Sequence, residues 1–115
     1  MDIRFDGKVV LVTGASTGIG AAVAYAFGTS GAKVAIHYNS SEDGAKAVAE
    51  KIKRAKGAET FLVRADVLDK KQIEDMVAAV AAKFGRIDIL INNAGGLLTR
   101  CALDEMPDED YAKVM

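Results

Sequence analysis

Apolar residues in this chain alternate between two rhythms. Short runs at Val9-Val10-Leu11-Val12, at residues 33–38 (Lys-Val-Ala-Ile-His-Tyr), at Thr60-Phe61-Leu62-Val63 and at residues 87–91, the last broken only by Asp88, read as four strands buried on both faces. Between them the period lengthens. Residues 19–30 carry Ala21, Ala22, Val23, Ala24, Ala26 and Phe27, a small-residue helix suited to close packing on a sheet, with Gly31 as its stop. Ala45, Val48, Ala49 and Ile52 recur at i, i+3, i+4 and i+7 with charged residues between them, and Gly57 closes that helix. Ile73, Met76, Val77, Val80 and Phe84 form the stripe of a third, ended by Gly85. Asp69 and Gln72 stand at capping-box spacing before it, and Ser40 and Ser41 are placed to cap the second. Residues 95–105 read as loop, and Pro107 with Asp108, Glu109 and Asp110 predicts a last helix.

Buried strands alternating with amphipathic helices predict an α/β fold: a parallel sheet with helices on both faces, joined by right-handed crossovers. The usual winding gives the strand order 3-2-1-4, with ligand beyond the carboxyl ends of strands 1 and 4, where the winding reverses. Strand 4 is then a bare hydrophobic edge. We therefore expect a single domain over residues 1–115, incomplete on its C-terminal side or sharing that edge with a partner.

Composition removes several classes. With 115 residues, half of them apolar, the chain supports one modest core. Fifteen basic and 16 acidic residues are interspersed, so no basic stripe points to nucleic acid. No apolar run approaches the ~20 residues needed to cross a bilayer. Cys101, the one cysteine, cannot form an internal disulfide and no charged-then-apolar leader opens the chain, so a cytoplasmic setting is expected. His37 has no His or Cys at ligand spacing, so no metal site is expected; read as lying in a distant loop, it is also no base for Cys101. Tyr111 and Lys113 stand two apart, which points their side chains about 200° apart on a helix and rules them out as a working pair.

The candidate chemistry lies after the first strand. Gly14 permits a sharp turn, Gly18 lets backbone approach a ligand, and Gly20 allows close helix-to-strand packing; the free N–H groups of the helix starting near Gly18 would face a diphosphate. The spacing matches neither G-x-G-x-x-G nor a P-loop, and on these residues alone an ordinary strand-to-helix turn remains open. Gly14-Ala15-Ser16-Thr17-Gly18-Ile19-Gly20, preceded by Thr13, resembles the T-G-x-x-x-G-I-G cofactor motif of the short-chain dehydrogenase/reductase family, and Asn92-Asn93-Ala94-Gly95 resembles its N-N-A-G motif. The resemblance runs from Gly7-Lys8 to the last residue and is nearest to the 3-oxoacyl-carrier-protein reductase branch.

That resemblance implies a Rossmann-type doubly wound sheet in three α/β/α layers and an NAD(P)-dependent oxidoreductase reducing a carbonyl or oxidising an alcohol. A 3-oxoacyl thioester is the implied substrate class, with a sugar or polyol as the alternative. It also implies a homo-oligomer, in the family a tetramer. Asp66 and Val67 would border the adenine, and Asn92, Asn93, Ala94 and Gly95 the ribose and nicotinamide. None of the family's catalytic Ser and Tyr-x-x-x-Lys lies in residues 1–115, so no catalytic residue is assigned, and a catalytically silent nucleotide-binding fragment or assembly module is a second expectation. Cofactor choice turns on Tyr38, Asn39, Ser40 and Ser41. No carboxylate is there to repel a 2′-phosphate, which favours NADP; no Arg or Lys is there either, which leaves NAD open. On propensity alone Asn39, Ser40 and Ser41 are equally turn and capping residues, as is Asp66, and Asn92 and Asn93 can equally satisfy exposed backbone.

Overall fold

A computed structural model describes residues 4–16, 18–55 and 57–93. The expectations placed on Thr17, Ala94, Gly95, Cys101, Tyr111, Lys113 and the last helix lie outside the described residues. Seven elements follow in the expected alternation: β1 (Val9–Val12), α1 (Gly18–Thr29), β2 (Lys33–Tyr38), α2 (Glu42–Arg54), β3 (Thr60–Arg64), α3 (Lys70–Phe84) and β4 (Ile89–Ile91). All pairings are parallel, in the order β3-β2-β1-β4. The register sets Val12 beside Ile36 and Ile91, and Tyr38 beside Arg64.

Strand parity divides the core in two. Val9, Leu11, Ala35, Val63 and Leu90 face α3 and meet Ile73, Met76, Val77 and Val80. Val10, Val12, Val34 and Ile36 face the other way, against Ala24 of α1 and Ala45, Val48 and Ile52 of α2. This is the three-layer arrangement, and it follows from strands with apolar residues on both faces. The chain winds outward from β1 through α1 and α2 on one face, then returns by α3 on the other to lay β4 against β1. The reversal falls between β1 and β4, the place where sheets wound in this way open a crevice at the carboxyl ends of their strands.

Three local expectations need correction. Strand 4 begins at Ile89, not at residue 87, because Asp88 inserts its carboxylate into the ladder. Its Oδ2 accepts the Val9 N–H at 2.8 Å and the Arg86 Nε–H at 2.9 Å, while its own N–H donates to the Val9 carbonyl. Ser41 occupies the N-cap of α2 without a side-chain capping bond. At α3, Asp69 does cap, accepting from Lys71 and Gln72 N–H, but Gln72 Oε1 accepts the N–H of Asp66 rather than that of the cap residue. Gln72 thereby ties the start of α3 to the end of β3.

Asp88 is 2% exposed at the end of the sheet opposite the crevice, so it separates stability from binding. Asp88→Ala leaves the Val9 N–H buried without that acceptor, and is expected to cost about 1–3 kcal/mol. Urea unfolding would read the loss. A variant as stable as the parent would show that the carboxylate contributes nothing.

Candidate functional site

The end of β1 is bolted to the end of β4. Thr13 is fully buried; its N–H donates to the Ile91 carbonyl at 3.0 Å and its hydroxyl accepts the Asn93 N–H at 2.8 Å. The same hydroxyl lies 3.3 Å from the Ile91 carbonyl and 3.4 Å from Asn92 Oδ1, either of which it can donate to. Asn93 Nδ2 donates to the Gly14 carbonyl at 3.3 Å. Asn92 and Asn93 thus tie β4 to the first turn, the packing role open to two amides after an apolar strand.

The turn itself requires glycine. Gly14 and Gly18 both have φ of +60°, a conformation that side chains disfavour. A Cβ on Gly18 would meet nothing within 4 Å, whereas one on Gly20 would run into the Gly14 carbonyl oxygen and lie 2.8 Å from Asn93 Nδ2. The turn is therefore closed on its inner side and open on its outer side. In the first turn of α1, N–H groups have no intrahelical acceptor, and the helix dipole adds partial positive charge there. Ile19 beside them is 76% exposed. Ser16 backs onto Gly44 at the start of α2, and Ala15 is fully buried, its N–H donating to the His37 carbonyl at 2.9 Å.

His37 lies inside β2, where the strand expected over residues 33–38 puts it and not in the loop assumed in weighing Cys101, and it is 2% exposed. Its Nδ1 accepts the N–H of Gly14 at 2.9 Å, which leaves Nε2 to carry the proton donated to the Ala65 carbonyl at 2.8 Å. Burial lowers its pKa below the usual 6.5, and the Ala65 bond works the other way. So a neutral ring joins the glycine turn to the residue preceding Asp66. Parity carried the signal: His37 shares its face with Ala35, toward α3.

The outer wall comes from β2 and β3. Tyr38 is half-buried among the α2-side core residues, and its carbonyl accepts the N–H of Ala65 at 3.1 Å. Asn39 and Ser40 are exposed, and Ser40 and Ser41 border a hollow of about 530 Å³ with Glu42 and Asp43. Arg64, not singled out in the sequence, crosses from β3 and donates from Nε to the Asn39 carbonyl at 2.9 Å. Only the Tyr38–Arg64 register reveals this neighbour. Asp66 uses Oδ1 to accept the Leu68 N–H at 2.9 Å, the local turn open to it from sequence. Val67 packs on the α3-side core, and Leu68 is 83% exposed. Among the described residues no cluster of His, Cys, Asp or Glu is arranged to hold a metal, and no helix is long and apolar enough to cross a membrane.

Comparison with known proteins gives the same picture. Residues 8–115 match the family model described as short chain dehydrogenase. Over 94 residues the chain is 48% identical to D-threitol dehydrogenase of Mycolicibacterium smegmatis, covering 82% of this chain and 35% of that one. Over 105 residues it is 43% identical to the 3-oxoacyl-acyl-carrier-protein reductase FabG of Staphylococcus epidermidis, covering 88% and 43%. A solved dehydrogenase from Burkholderia cenocepacia with bound NADP superposes with a TM-score of 0.73 at 36% identity, covering 77% of this chain and 34% of that one. The chain spans less than half the length of each of these proteins.

Proposed function

The chain belongs to the short chain dehydrogenase family, and from that premise we propose that residues 1–115 form the dinucleotide-binding part of an NADPH-preferring carbonyl reductase. The observation that carries the cofactor half is the glycine turn at the reversal between β1 and β4, with no room for a Cβ at Gly20 and open space above Gly18. Such a cradle fits a diphosphate approaching bare backbone. A bound nicotinamide would supply the carbon that gives or takes hydride, and the residues of this chain would hold and orient it. In this reading the first-turn N–H groups of α1 hold the diphosphate, Asp66 and Val67 border the adenine, and Asn92 and Asn93 border the nicotinamide ribose. The Ser and the Tyr-x-x-x-Lys of the family would come from residues outside 1–115. Cytoplasmic location and homo-oligomeric assembly are part of the same proposal.

The preference for NADPH rests on charge. The carboxyl end of β2 bears no carboxylate, and Arg64 lies against Asn39 by its Nε, with no partner for its Nη groups among the described residues. A 2′-phosphate beside Asn39 and Ser40 would meet that guanidinium. Glu42 and Asp43 oppose it, although Lys46 Nζ lies 3.7 Å from Glu42 Oε2. A charge-assisted contact of about 1.5–3 kcal/mol corresponds to a preference of roughly tenfold to a hundredfold. Fluorescence titration of the full-length protein is expected to show that preference, and Arg64→Met to shrink it. Equal affinity for NADPH and NADH would defeat it.

A 3-oxoacyl thioester is the substrate class we favour, on the likeness to FabG. The likeness to D-threitol dehydrogenase supports a second reading, oxidation of a polyol. Rates of acetoacetyl-thioester reduction and threitol oxidation by the full-length protein would decide between them.

A further inference from the structure

We propose that His37 is a positioning residue for the cofactor: in its Nε2–H form it fixes the glycine turn against the β3 wall, and dinucleotide affinity follows that form. The proposal rests on the reading of the glycine turn as the diphosphate site. His37 makes three bonds across the crevice floor. Its Nδ1 receives the Gly14 N–H, its carbonyl receives the Ala15 N–H, and its Nε2–H reaches the Ala65 carbonyl. Gly14 is the residue whose carbonyl also receives Asn93 Nδ2 and bounds the space left to Gly20, so its position sets where α1 begins. Ala65 immediately precedes the adenine-side Asp66. One ring therefore sets the spacing between the diphosphate and adenine ends of the site.

The geometry tolerates one tautomer. A proton on Nδ1 would point at the N–H of Gly14, donor against donor, and that N–H would lose its acceptor inside a buried turn. Among the described residues no charged group offsets this. Asp66 turns Oδ1 to the Leu68 N–H, Asp69 turns its carboxylate to the first turn of α3, and Arg64 is bound to Asn39 on the opposite face of the sheet. Tyr38, the other titratable neighbour, also faces α2. Protonation is thus expected to release Gly14–Ala15 and weaken cofactor binding as pH falls below the usual histidine range.

The test follows the ring and the affinity together in the full-length protein. Nitrogen NMR is expected to show Nε2–H at about pH 8, and NADP⁺ affinity to fall in step with protonation of the ring, below the usual 6.5, by up to about tenfold per pH unit once the ring titrates. His37→Asn retains an acceptor and a donor; it is expected to bind at about pH 8 and to keep only the titration of the 2′-phosphate itself, near pH 6. By linkage, bound NAD⁺, which lacks that phosphate, should lower the pKa of His37 further. An Nδ1–H tautomer at pH 8, or an affinity profile identical in wild type and His37→Asn, overturns the assignment. Absence of any binding at pH 8 in the wild type would instead overturn the dinucleotide reading, and the NMR result would still decide the tautomer.

Discussion

Gly18→Val is expected to abolish cofactor binding in a protein that still folds. A Cβ at this position meets nothing within 4 Å, so the added side chain displaces no neighbour and stands in the open space above the first turn of α1. In the proposed reading that space is the approach of the diphosphate to the free N–H groups. Two charge-assisted bonds to a diphosphate, each about 1.5–3 kcal/mol, account for a loss of a hundredfold or more when the approach is filled. Stability should fall less, because the main cost is φ of +60°, which a β-branched residue tolerates poorly, at about 1–3 kcal/mol. Gly18→Ala separates the two effects. It carries much of the backbone strain with one methyl in the approach, so its affinity should lie between those of wild type and Gly18→Val. NADPH titration beside thermal unfolding reads both quantities. Unchanged NADPH affinity in Gly18→Val would remove the phosphate from this turn.

The fold was legible because its strands are mostly apolar on both faces and its helices are apolar on one. Val9–Val12 needs no context to be read as a strand buried on two faces, and Ile73, Met76, Val77 and Val80 need none to be read as a stripe. Order 3-2-1-4 then followed from handedness and winding, and the observed pairings agree with it. What escaped were interactions between residues distant in sequence. Asp88 reads as a flaw in an apolar run, until Val9, 79 positions away, is found donating to it. Ser41 looks like a cap, because propensity counts the residue type and not the rotamer. Arg64 has no motif, and only the pairing of β2 with β3 brings it to Asn39. His37 is the sharpest case: a lone histidine carries little information until its two ring nitrogens are seen to have different partners, Gly14 and Ala65.

These tertiary bonds also decide the sign of the second large effect, at Gly20. Helix propensity alone favours alanine over glycine by about 1 kcal/mol, so Gly20→Ala would stabilise an isolated α1. In the folded chain it is expected to do the reverse and to lose the cofactor as well. The methyl would collide with the Gly14 carbonyl oxygen and lie 2.8 Å from Asn93 Nδ2, both closer than van der Waals contact allows. The Gly14 carbonyl is backbone and cannot swing aside, and moving the Asn93 side-chain amide breaks its bond to that carbonyl. Gly14 is held through its N–H by His37, and Asn93 through its own N–H by Thr13. The start of α1 must therefore move away from β4 or the Asn93–Gly14 bond must break, at a cost of about 3 kcal/mol in overpacking that outweighs the propensity gain. Either movement displaces the N–H groups proposed to hold the diphosphate, so stability and NADPH affinity are expected to fall together, unlike at Gly18, where affinity should fall much further than stability. Urea unfolding and NADPH titration of the two variants side by side would show the contrast. A Gly20→Ala variant more stable than wild type would mean that the turn and β4 are not packed as closely as the Gly14, Gly20 and Asn93 contacts require.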